Sequence, residues 1–239
     1  MNPVHHWFEN EIEPGSKVHL ENYDMIVDPI DTNITPPLKS EGVWERNTTT
    51  YLKTILRKGQ IFVDCGAHWG YYTCLASKLV GQSGHVYSFE PNLISVQLLS
   101  LNISLNELSN VSVIPLALWN LPTMLEFVIE TQTTGGSHVI GVFDRYSRGQ
   151  AVIATTLDKI FEPNEIDVLK VDCEGSDVRI LKGAENILSN GHAIVISENP
   201  NVGELERYGY KIIKKFTEEQ VQIFTKATSE LPNNAIIST

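Results

Sequence analysis

Short apolar runs alternate with longer amphipathic segments along the middle of the chain. The run Ile61–Val63 suits a strand buried on both faces, and residues 71–80 behind it predict a helix. The alternation continues with predicted strands at 85–89, 111–114, 166–171 and 193–196, and predicted helices at 44–56, 93–105 and 177–188. Alternating strands and helices form a mostly parallel sheet covered on both faces. The pattern therefore predicts an α/β domain with a doubly wound, Rossmann-like sheet.

Two regions depart from this alternation. Residues of about 118–156 predict an inserted β-hairpin, with strands at 124–129 and 151–155 and a polar loop from 130 to 150. Such a loop is either a lid or binding loop or a connection without function. Residues 1–41, rich in Asn, Asp, Glu and Pro, predict an N-terminal arm that precedes a main domain at 42–239. The segments 210–216 and 221–225 alternate like an antiparallel strand pair.

A turn with two glycines joins the first strand of the domain to its helix. Asp64 closes the strand, and Gly66 and Gly70 follow it. The turn brings the unpaired N–H groups of the helix N-terminus next to glycine backbone that carries no side chain. A small polar ligand can therefore approach the main chain there. The spacing Asp-x-Gly-x-x-x-Gly is neither that of dinucleotide enzymes nor that of phosphate-binding loops. The turn predicts a ligand site of another kind.

Glu90 stands at the end of the next predicted strand, and Pro91 follows it. The two strands and the helix between them form a βαβ unit, which brings Glu90 beside the glycine turn. A carboxylate there can accept both hydrogen bonds of a ribose diol. The alternative is a solvated acid at a strand end. Together with Asp64, Glu90 predicts a nucleoside cofactor site.

Further polar residues follow the later strands of the predicted sheet: Asp172, Glu174, Glu198 and Asn199, with Lys170 two residues before Asp172. Ligands of open α/β sheets bind beyond these strand ends. Three interpretations are open. The acids cap the next helix and pair with Lys170; one of them is a general base; or Asp172, Glu198 and Asn199 hold Mg²⁺.

Two histidines are candidates for chemistry. His68 lies inside the glycine turn, where its ring either faces the reacting centre or packs over the turn. His138 lies in the inserted loop and is a candidate base if that loop closes over the site. An exposed loop histidine is the alternative for His138.

Composition restricts the partners. The net charge of −11 argues against nonspecific binding to nucleic acid or to an anionic membrane. Three cysteines without metal-ligand spacing suit a reducing compartment, and no apolar run reaches the roughly 20 residues that span a bilayer. We expect a soluble, cytoplasmic protein of one full-sized α/β domain.

The ordered motifs Val63–Thr73, Thr156–Ile160, Ile166–Gly175 and Leu181–Ala184 resemble the FkbM family of class I S-adenosylmethionine-dependent methyltransferases. The resemblance implies a seven-stranded sheet with a reversed last strand. It also implies methyl transfer from S-adenosylmethionine to a hydroxyl of a small-molecule acceptor, a sugar or secondary metabolite. His68 and Cys173 depart from the family pattern, which commonly has Asn and an aliphatic residue there.

The resemblance also assigns residues. Cofactor contacts are expected from Glu45, Thr48, Asp64, Gly66, Ala67, His68, Gly70, Tyr71, Tyr72, Thr73, Glu90, Pro91, Asn92, Ala117 and Asp172. The catalytic candidates come from position in the chain and not from the resemblance: Asp172, Glu198 and Lys170 at the strand ends, and His138 in the inserted loop. A related metal-dependent arrangement would place Mg²⁺ on Asp172, Glu198 and Asn199. A nicotinamide-dependent enzyme and a non-catalytic cofactor-binding module are the alternatives, and the N-terminal β arm could exchange between subunits of a homo-oligomer.

Overall fold

The computed structural model describes residues 16–130, 134–144, 146–147, 149–198, 200 and 202–226. Its strands are β1 Lys17–His19, β2 Asp24–Ile26, β3 Ile61–Cys65, β4 His85–Phe89, β5 Val111–Ile114, β6 Ala117–Leu118, β7 Thr123–Val128, β8 His138–Val142, β9 Gln150–Thr155, β10 Val168–Val171, β11 Ile194–Ser197, β12 Tyr210–Phe216 and β13 Val221–Lys226. Its α-helices are α1 Thr35–Glu41, α2 Arg46–Ile55, α3 Tyr71–Val80, α4 Leu93–Leu105, α5 Asp177–Lys182, α6 Glu185–Asn190 and α7 Val202–Arg207.

A seven-stranded sheet forms the centre of the fold, in the order β12-β13-β11-β10-β3-β4-β5. The five strands from β11 to β5 are parallel to one another. Strand β13 runs antiparallel to both of its neighbours, so the sheet is mixed. The α/β class predicted from the sequence is confirmed. The parallel strands bring the ends of β3, β4, β10 and β11 to one edge of the sheet.

The central strands are buried on both faces because helices cover each side. Phe62 and Val168 belong to the apolar cluster under α2 and α3, together with residues of the N-terminal hairpin. Their neighbours Val63 and Leu169 belong to the cluster under α5, α6 and α7. This alternation is the period of two expected of strand side chains. It explains why these strands read as continuous apolar runs.

The hairpin of β1 and β2 is attached to α4 by two asparagines one helical turn apart. Asn102 accepts a hydrogen bond from the Ile26 N–H at 2.6 Å and donates to the Ile26 carbonyl at 3.0 Å. Asn106 makes the same pair of bonds with Asp24, at 2.9 and 2.7 Å. The side-chain amides thus act on β2 as the backbone of a neighbouring strand would. Asn102 also donates to the carbonyl of Trp69, which ties the hairpin to the glycine turn.

The inserted region is a sheet of its own, in the order β6-β9-β7-β8. The prediction of an irregular loop over residues 130–150 is wrong in part, because β8 lies within it and pairs antiparallel with β7. Polar and glycine residues around β8 conceal its short apolar alternation in the sequence. The inner face of this sheet packs Leu125, Phe127 and Val152 into a small core.

The helix predicted over residues 177–188 is two helices, α5 and α6, separated at Gly183. A Cβ at this position would lie 2.1 Å from the carbonyl oxygen of Trp119. Only glycine allows the inserted region to approach the helix backbone so closely. Within the described part of the chain, no helix combines the length and the apolarity that crossing a membrane would take.

Candidate functional site

The glycine turn after β3 is fixed by its backbone to the ends of two neighbouring strands. The N–H groups of Gly66 and Ala67 both donate to the Phe89 carbonyl at 3.0 Å. Gly66 has φ 84°, and a Cβ there would lie 2.0 Å from the carbonyl oxygen of Asp172. A side chain at position 66 is therefore excluded by strain and by contact. The turn brings the ends of β3, β4 and β10 together at one place.

Glu90 is buried at the end of β4, where one carboxylate oxygen binds the glycine turn and the other binds the segment that leads into α4. Its Oε2 accepts from the His68 N–H at 2.9 Å, and its Oε1 accepts from the Asn92 N–H at 2.8 Å. Burial raises the pKa of the Glu90 carboxyl, and the two hydrogen bonds lower it. Burial has the larger effect, so the pKa is about 7. A carboxylate oxygen has two lone pairs, so each oxygen can accept one more hydrogen bond. The geometry suits the two hydroxyls of a ribose.

A cleft, named here the apolar cleft, opens beside Glu90. Its walls carry mainly hydrophobic side chains: Phe89, Leu116, Leu118, Phe127, Val139 and Ile180. Of the residues predicted to contact a cofactor, seven line it: Gly66, His68, Glu90, Pro91, Asn92, Ala117 and Asp172. Apolar walls with a few polar groups are typical of small-molecule sites.

A second and larger cavity, named here the acidic chamber, adjoins the apolar cleft. Described carboxylates line it: Glu41, Glu45, Asp172, Glu174, Glu198, Glu218 and Glu219. The two cavities share Gly66, His68, Gly135, Asp172 and Glu174 in their linings. Predicted residues Ala67, Tyr71, Tyr72 and Lys170 also line the chamber. The cavities therefore meet at the glycine turn and the end of β10.

A buried ion pair lies at this junction. Lys170 Nζ donates to Asp172 Oδ2 at 2.7 Å and lies 4.5 Å from the centre of the Tyr72 ring. Burial lowers the pKa of the Lys170 ammonium, but the charges of Asp172, Glu45 and Asp64 outweigh it, so that the pKa is above its usual value. Lys170 therefore stays protonated and acts as a fixed positive charge rather than as a base.

Glu45 forms the chamber wall next to this pair. The Tyr72 hydroxyl donates to Glu45 Oε2 at 2.5 Å. Burial is the main cause that raises the pKa of Glu45 to about 7; Lys170 lowers it and Asp172 raises it. The backbone of Glu45 is left-handed, with φ 41°, which explains why α2 begins at Arg46 and not at the predicted residue 44.

Glu174 and Glu198 form the far side of the junction. Burial, and after it the charges of Asp172, Glu174, Asp177 and Glu45, together raise the pKa of Glu198 to about 8. Burial and the charge of Asp172 raise the pKa of Glu174 as well. Crowded carboxylates of one sign make each group harder to ionise. This crowding was expected from the strand ends.

Several predicted cofactor residues do not reach either cavity. Thr48 is fully buried and donates its hydroxyl to Glu219 at 2.6 Å, so its predicted direct contact disagrees with the geometry. Thr73 is also fully buried and donates to Asp64 Oδ2 at 2.7 Å, which places both side chains beneath the turn. Gly70 packs against Leu99, where a Cβ would lie 2.4 Å from Cδ1. These residues support the turn rather than line it.

The two histidines lie in different places. The ring of His68 stacks on Trp69 with centroids 4.3 Å apart and lines both cavities. Burial lowers the pKa of His68 to about 4, so its ring is neutral. His138 begins β8 and lines the apolar cleft, with Nδ1 2.9 Å from the Gly136 carbonyl oxygen. The described lining of the acidic chamber does not include His138.

The predicted Mg²⁺ site is not supported. Asn199 lies outside the described residues, and Asp172 is engaged by Lys170. In the described ranges, no three His, Cys, Asp or Glu side chains are grouped so that they could hold a metal ion. The donor set does not fit the metal.

The sequence analysis did not identify the cavity walls that come from segments far away in the chain. Phe127 and Val139, on the inserted sheet, close the apolar cleft, and Glu219, in the turn between β12 and β13, lines the chamber. Glu219 also accepts from the N–H groups of Asn47 and Thr48 at the start of α2, at 2.7 and 2.9 Å. No local motif marks these residues.

The fold is a methyltransferase-like α/β fold with a large mixed sheet. A family model described as the methyltransferase FkbM domain matches residues 64–222. The chain belongs to the FkbM methyltransferase family, as the sequence resemblance predicted.

Solved structures are similar to this chain to different degrees, and one of them has a TM-score above 0.5. The methyltransferase FkbM of Methylobacillus flagellatus KT has a TM-score of 0.51 at 16% identity, over 74% of this chain and 50% of that one. This chain thus spans half the length of that protein. A Thermotoga maritima S-adenosylmethionine-dependent O-methyltransferase has a TM-score of 0.46 at 13% identity, over 92% and 89% of the two chains. An rRNA methylase from Streptococcus thermophilus has a TM-score of 0.42 at 15% identity, over 75% and 91%. No curated protein matches the chain significantly.

Proposed function

We propose that the protein is an S-adenosylmethionine-dependent O-methyltransferase that acts on a hydroxyl group of a small molecule, a sugar or a secondary metabolite. The observation that carries the proposal is the pair of joined cavities, which meet at Gly66 and Asp172. One cavity has the walls of a nucleoside site and the other is larger and polar. Two reactants can therefore meet at one point while each occupies its own cavity.

The residues present fit the cofactor. Glu90, with an acceptor position left on each oxygen, would receive the ribose hydroxyls, and the apolar walls near Ala117 would enclose the adenine. Gly66, which has no room for a Cβ, would let the amino-acid part pass close to the backbone towards Glu45 and Tyr72. When bound, S-adenosylmethionine supplies an electrophilic methyl group on its sulfonium sulfur.

Asp172 is the residue of this chain that we assign as the proton acceptor. It lines both cavities, and the Lys170 ammonium fixes its orientation at 2.7 Å. S-adenosylmethionine, when bound, would supply the methyl group for the acceptor oxygen, and the Asp172 carboxylate would receive the proton that this hydroxyl loses. A hydroxyl oxygen becomes strongly acidic as it gains a third substituent, so a carboxylate paired with lysine is basic enough. The bulk of the acceleration comes from alignment of the two reactants.

The other catalytic candidates take different positions in this proposal. Lys170 is a positioning residue because its pKa keeps it protonated. Glu198 lines the chamber and is the second candidate base. His138, on the wall of the apolar cleft, belongs to the cofactor side and is not retained as a base.

The charge of the protein supports a small acceptor rather than a nucleic acid. The net charge is −11, and the chamber wall itself is lined with carboxylates. A polyanion would be repelled on approach and again at the site. Methylation of RNA by the purified protein would overturn this part of the proposal.

Calorimetry with S-adenosylmethionine and S-adenosylhomocysteine tests the cofactor assignment. We expect both to bind the wild type, and Glu90→Ala to lose about 100-fold in affinity because two hydrogen bonds to a charged group disappear. Glu206→Ala is the control, since Glu206 is exposed on α7 outside the described linings of both cavities. Absence of binding to the wild type would refute the proposed function. Binding without turnover on a broad panel of hydroxyl compounds would favour a non-catalytic module.

A further inference from the structure

The ammonium of Lys170 is buried near several carboxylates but pairs with one of them. Its side chain is 3% exposed, and Nζ donates to Asp172 Oδ2 at 2.7 Å. Burial lowers the pKa of the ammonium, whereas the charges of Asp172, Glu45 and Asp64 raise it. Within the described part of the chain, Asp172 is the acid whose oxygen lies within ion-pair distance of Nζ. An ammonium has three N–H donors, so the pairing with Asp172 alone needs a structural cause.

Asp64 lies directly beside Lys170 in the central sheet. The two residues are paired in register on the neighbouring parallel strands β3 and β10, which places their side chains on one face, with backbones about 4.8 Å apart. The Asp64 side chain is buried, and among the described residues its Oδ1 has no hydrogen-bond donor. A buried acceptor without a donor is destabilising. Rotation towards the ammonium would satisfy it, so its present orientation indicates that another contact holds the carboxylate.

Thr73, in the first turn of α3, provides this contact. Its hydroxyl donates to Asp64 Oδ2 at 2.7 Å. The Ser88 hydroxyl lies 2.8 Å from the Thr73 oxygen, and both side chains are buried. Because the single hydroxyl hydrogen of Thr73 is directed to Asp64, Ser88 is the donor in the second bond. Thr73 thus fixes the orientation of the Asp64 carboxylate.

Tyr72, the preceding residue of α3, acts on Glu45 in the same way. Its hydroxyl donates to Glu45 Oε2 at 2.5 Å. The centre of its ring lies 4.5 Å from the Lys170 ammonium, which is the distance of a cation–π contact. The Tyr72 side chain is buried, so this contact is shielded from water. Tyr72 therefore engages a neighbouring carboxylate and also stabilises the ammonium in its present place.

Two consecutive residues of α3 thus donate hydroxyls to the two carboxylates that compete with Asp172 for the ammonium. The alternative is a purely structural role, in which each hydroxyl only satisfies a buried acid. The two roles differ in the effect of removing a hydroxyl. A structural hydroxyl leaves the ion pair of Lys170 unchanged, whereas a directing hydroxyl releases a competing carboxylate.

We propose, on the basis of the function proposed above, that the hydroxyls of Tyr72 and Thr73 are positioning groups that direct the Lys170 ammonium to the proton acceptor. Each hydroxyl engages one competing carboxylate, and neither takes part in the reaction itself. The proton acceptor, Asp172, then keeps its counter-charge at a fixed place. An ammonium shared with a second carboxylate would leave Asp172 free to turn away from the junction of the cavities.

Crystal structures of Tyr72→Phe and Thr73→Val test the direction of the ammonium without an acceptor molecule. Each variant keeps the shape of the side chain and removes one hydroxyl. We expect Lys170 Nζ to leave the proton acceptor, or to divide between two positions. Its new partner should be Glu45 in the first variant and Asp64 in the second. An ion pair that is unchanged in both variants would overturn the inference.

Two control variants accompany these structures. Thr73→Ser keeps the hydroxyl and should keep the ion pair. Tyr23→Phe removes another buried tyrosine hydroxyl, which donates to the backbone carbonyl of Tyr71 at 3.0 Å and not to a carboxylate. It should leave the ion pair unchanged, and a moved ammonium in this control would show that any loss of a buried hydroxyl has the same effect.

The double variants Tyr72→Phe/Glu45→Gln and Thr73→Val/Asp64→Asn add a second change, which removes the charge of the released carboxylate. We expect the Lys170 ammonium to return to ion-pair distance of the proton acceptor in both. A pair that stays broken in both double variants would show that the hydroxyls act in another way and would refute the proposal. If Thr73→Val does not fold, the two Tyr72 variants decide.

Turnover provides a readout that a structural role would not change. On the hydroxyl compounds of the panel that the wild type methylates, we expect kcat to fall about tenfold in Thr73→Val and to recover to within about threefold in Thr73→Val/Asp64→Asn. The affinity for S-adenosylhomocysteine should be unchanged in both, because the described linings of the cavities include neither Thr73 nor Asp64. Equal losses in the single and double variants, or a moved ammonium with unchanged kcat, would overturn the inference.

The same measurements separate this inference from the proposed function. If the wild type binds no S-adenosylhomocysteine, the proposed function fails, and the crystal structures still decide whether the hydroxyls direct the ammonium. If the wild type binds S-adenosylhomocysteine and methylates a hydroxyl compound, but the ion pair is the same in every variant, only the inference fails.

Discussion

The apolar cleft and the acidic chamber are neighbours with opposite construction. The cleft is built mostly at the ends of β4 and β10 and closed by the inserted sheet. The chamber is built from the segment between α1 and α2, the end of β11, and the turn between β12 and β13. The central sheet thus supplies most of the side at which we propose that the cofactor binds, and the peripheral segments supply most of the side proposed for the acceptor. Cofactor recognition can stay fixed in such a design while the peripheral walls change the acceptor.

The largest effect is expected where the two cavities join. Gly66→Ala places a Cβ against the Asp172 carbonyl and adds strain at φ 84°, so we expect a loss of about 4 kcal/mol or more in the free energy of unfolding. Gly209→Ala is the control because Gly209 has the same φ and nothing within 4 Å of the new Cβ. It should cost only about 1 kcal/mol of backbone strain. Urea unfolding measures both, and equal losses would show that strain alone makes Gly66 necessary.

Asp172→Asn tests the ion pair at the junction. We expect turnover to fall by about 100-fold or more, since the proton acceptor is gone. Stability should fall by about 3 kcal/mol, because the Lys170 charge stays buried without its counter-charge. Glu41→Gln, which removes an exposed ion pair with Arg46, should cost less than about 1 kcal/mol. Turnover that persists in Asp172→Asn and disappears in Glu198→Gln would move the base to Glu198.

The apolar cleft should respond to pH through Glu90. Its pKa of about 7 in the folded protein lies above the ordinary 4.5, so the folded state binds the proton more tightly than the unfolded state. The free energy of unfolding contributed by Glu90 is fully present below pH 4.5 and decreases as the pH rises through 7, by about 3 kcal/mol in total relative to Glu90→Gln. Chemical unfolding of both proteins from pH 4 to 8 measures the difference. A constant difference would contradict the raised pKa.

Ligand affinity should follow the opposite direction. The ionised carboxylate accepts the ribose hydrogen bonds better, so the affinity for S-adenosylhomocysteine should rise about tenfold between pH 6 and 8. Glu90→Gln should show weak binding without this rise. A rise that persists in the variant would assign the titration to another carboxyl, such as Glu45.

The smallest effect concerns a residue beneath the site. Thr48→Val removes the hydroxyl that donates a hydrogen bond to Glu219. We expect a loss of about 1 to 2 kcal/mol in the free energy of unfolding, with the cofactor affinity unchanged. Thr48→Ser, which keeps the hydroxyl, should restore most of the stability. A loss of S-adenosylhomocysteine affinity in Thr48→Val alone would show that Thr48 contacts the ligand after all.

The sequence was sufficient for the part of the site that lies on the central sheet. Buried strands read as apolar runs, and Gly66 and Glu90 stand directly after two of them, so local pattern and strand order place them together. Family resemblance added Glu45, which the structure brings to the chamber wall. The same resemblance predicted that Thr48 contacts the cofactor, whereas in the structure the Thr48 hydroxyl donates a hydrogen bond to Glu219.

The remaining walls depend on contacts between residues far apart in the chain. Glu219 meets Thr48 across 171 positions, and Phe127 reaches the cleft through a sheet that is separate from the central one. Neither hydrophobic periodicity nor a short sequence motif indicates such contacts. The split of the predicted helix at Gly183 has the same origin, since its cause is the approach of Trp119 from the inserted region.

The asparagine pair on α4 has a consequence for the order of assembly. The bonds from Asn102 and Asn106 to β2 span 76 and 82 positions of the chain. During synthesis, the β1–β2 hairpin therefore leaves the ribosome well before the side chains that complete its hydrogen bonds. The backbone groups of β2 that bind Asn102 and Asn106 therefore lack these partners until α4 has left the ribosome and folded. Contacts between residues so far apart in the chain form more slowly than local ones, so we expect docking of the hairpin among the late events of folding.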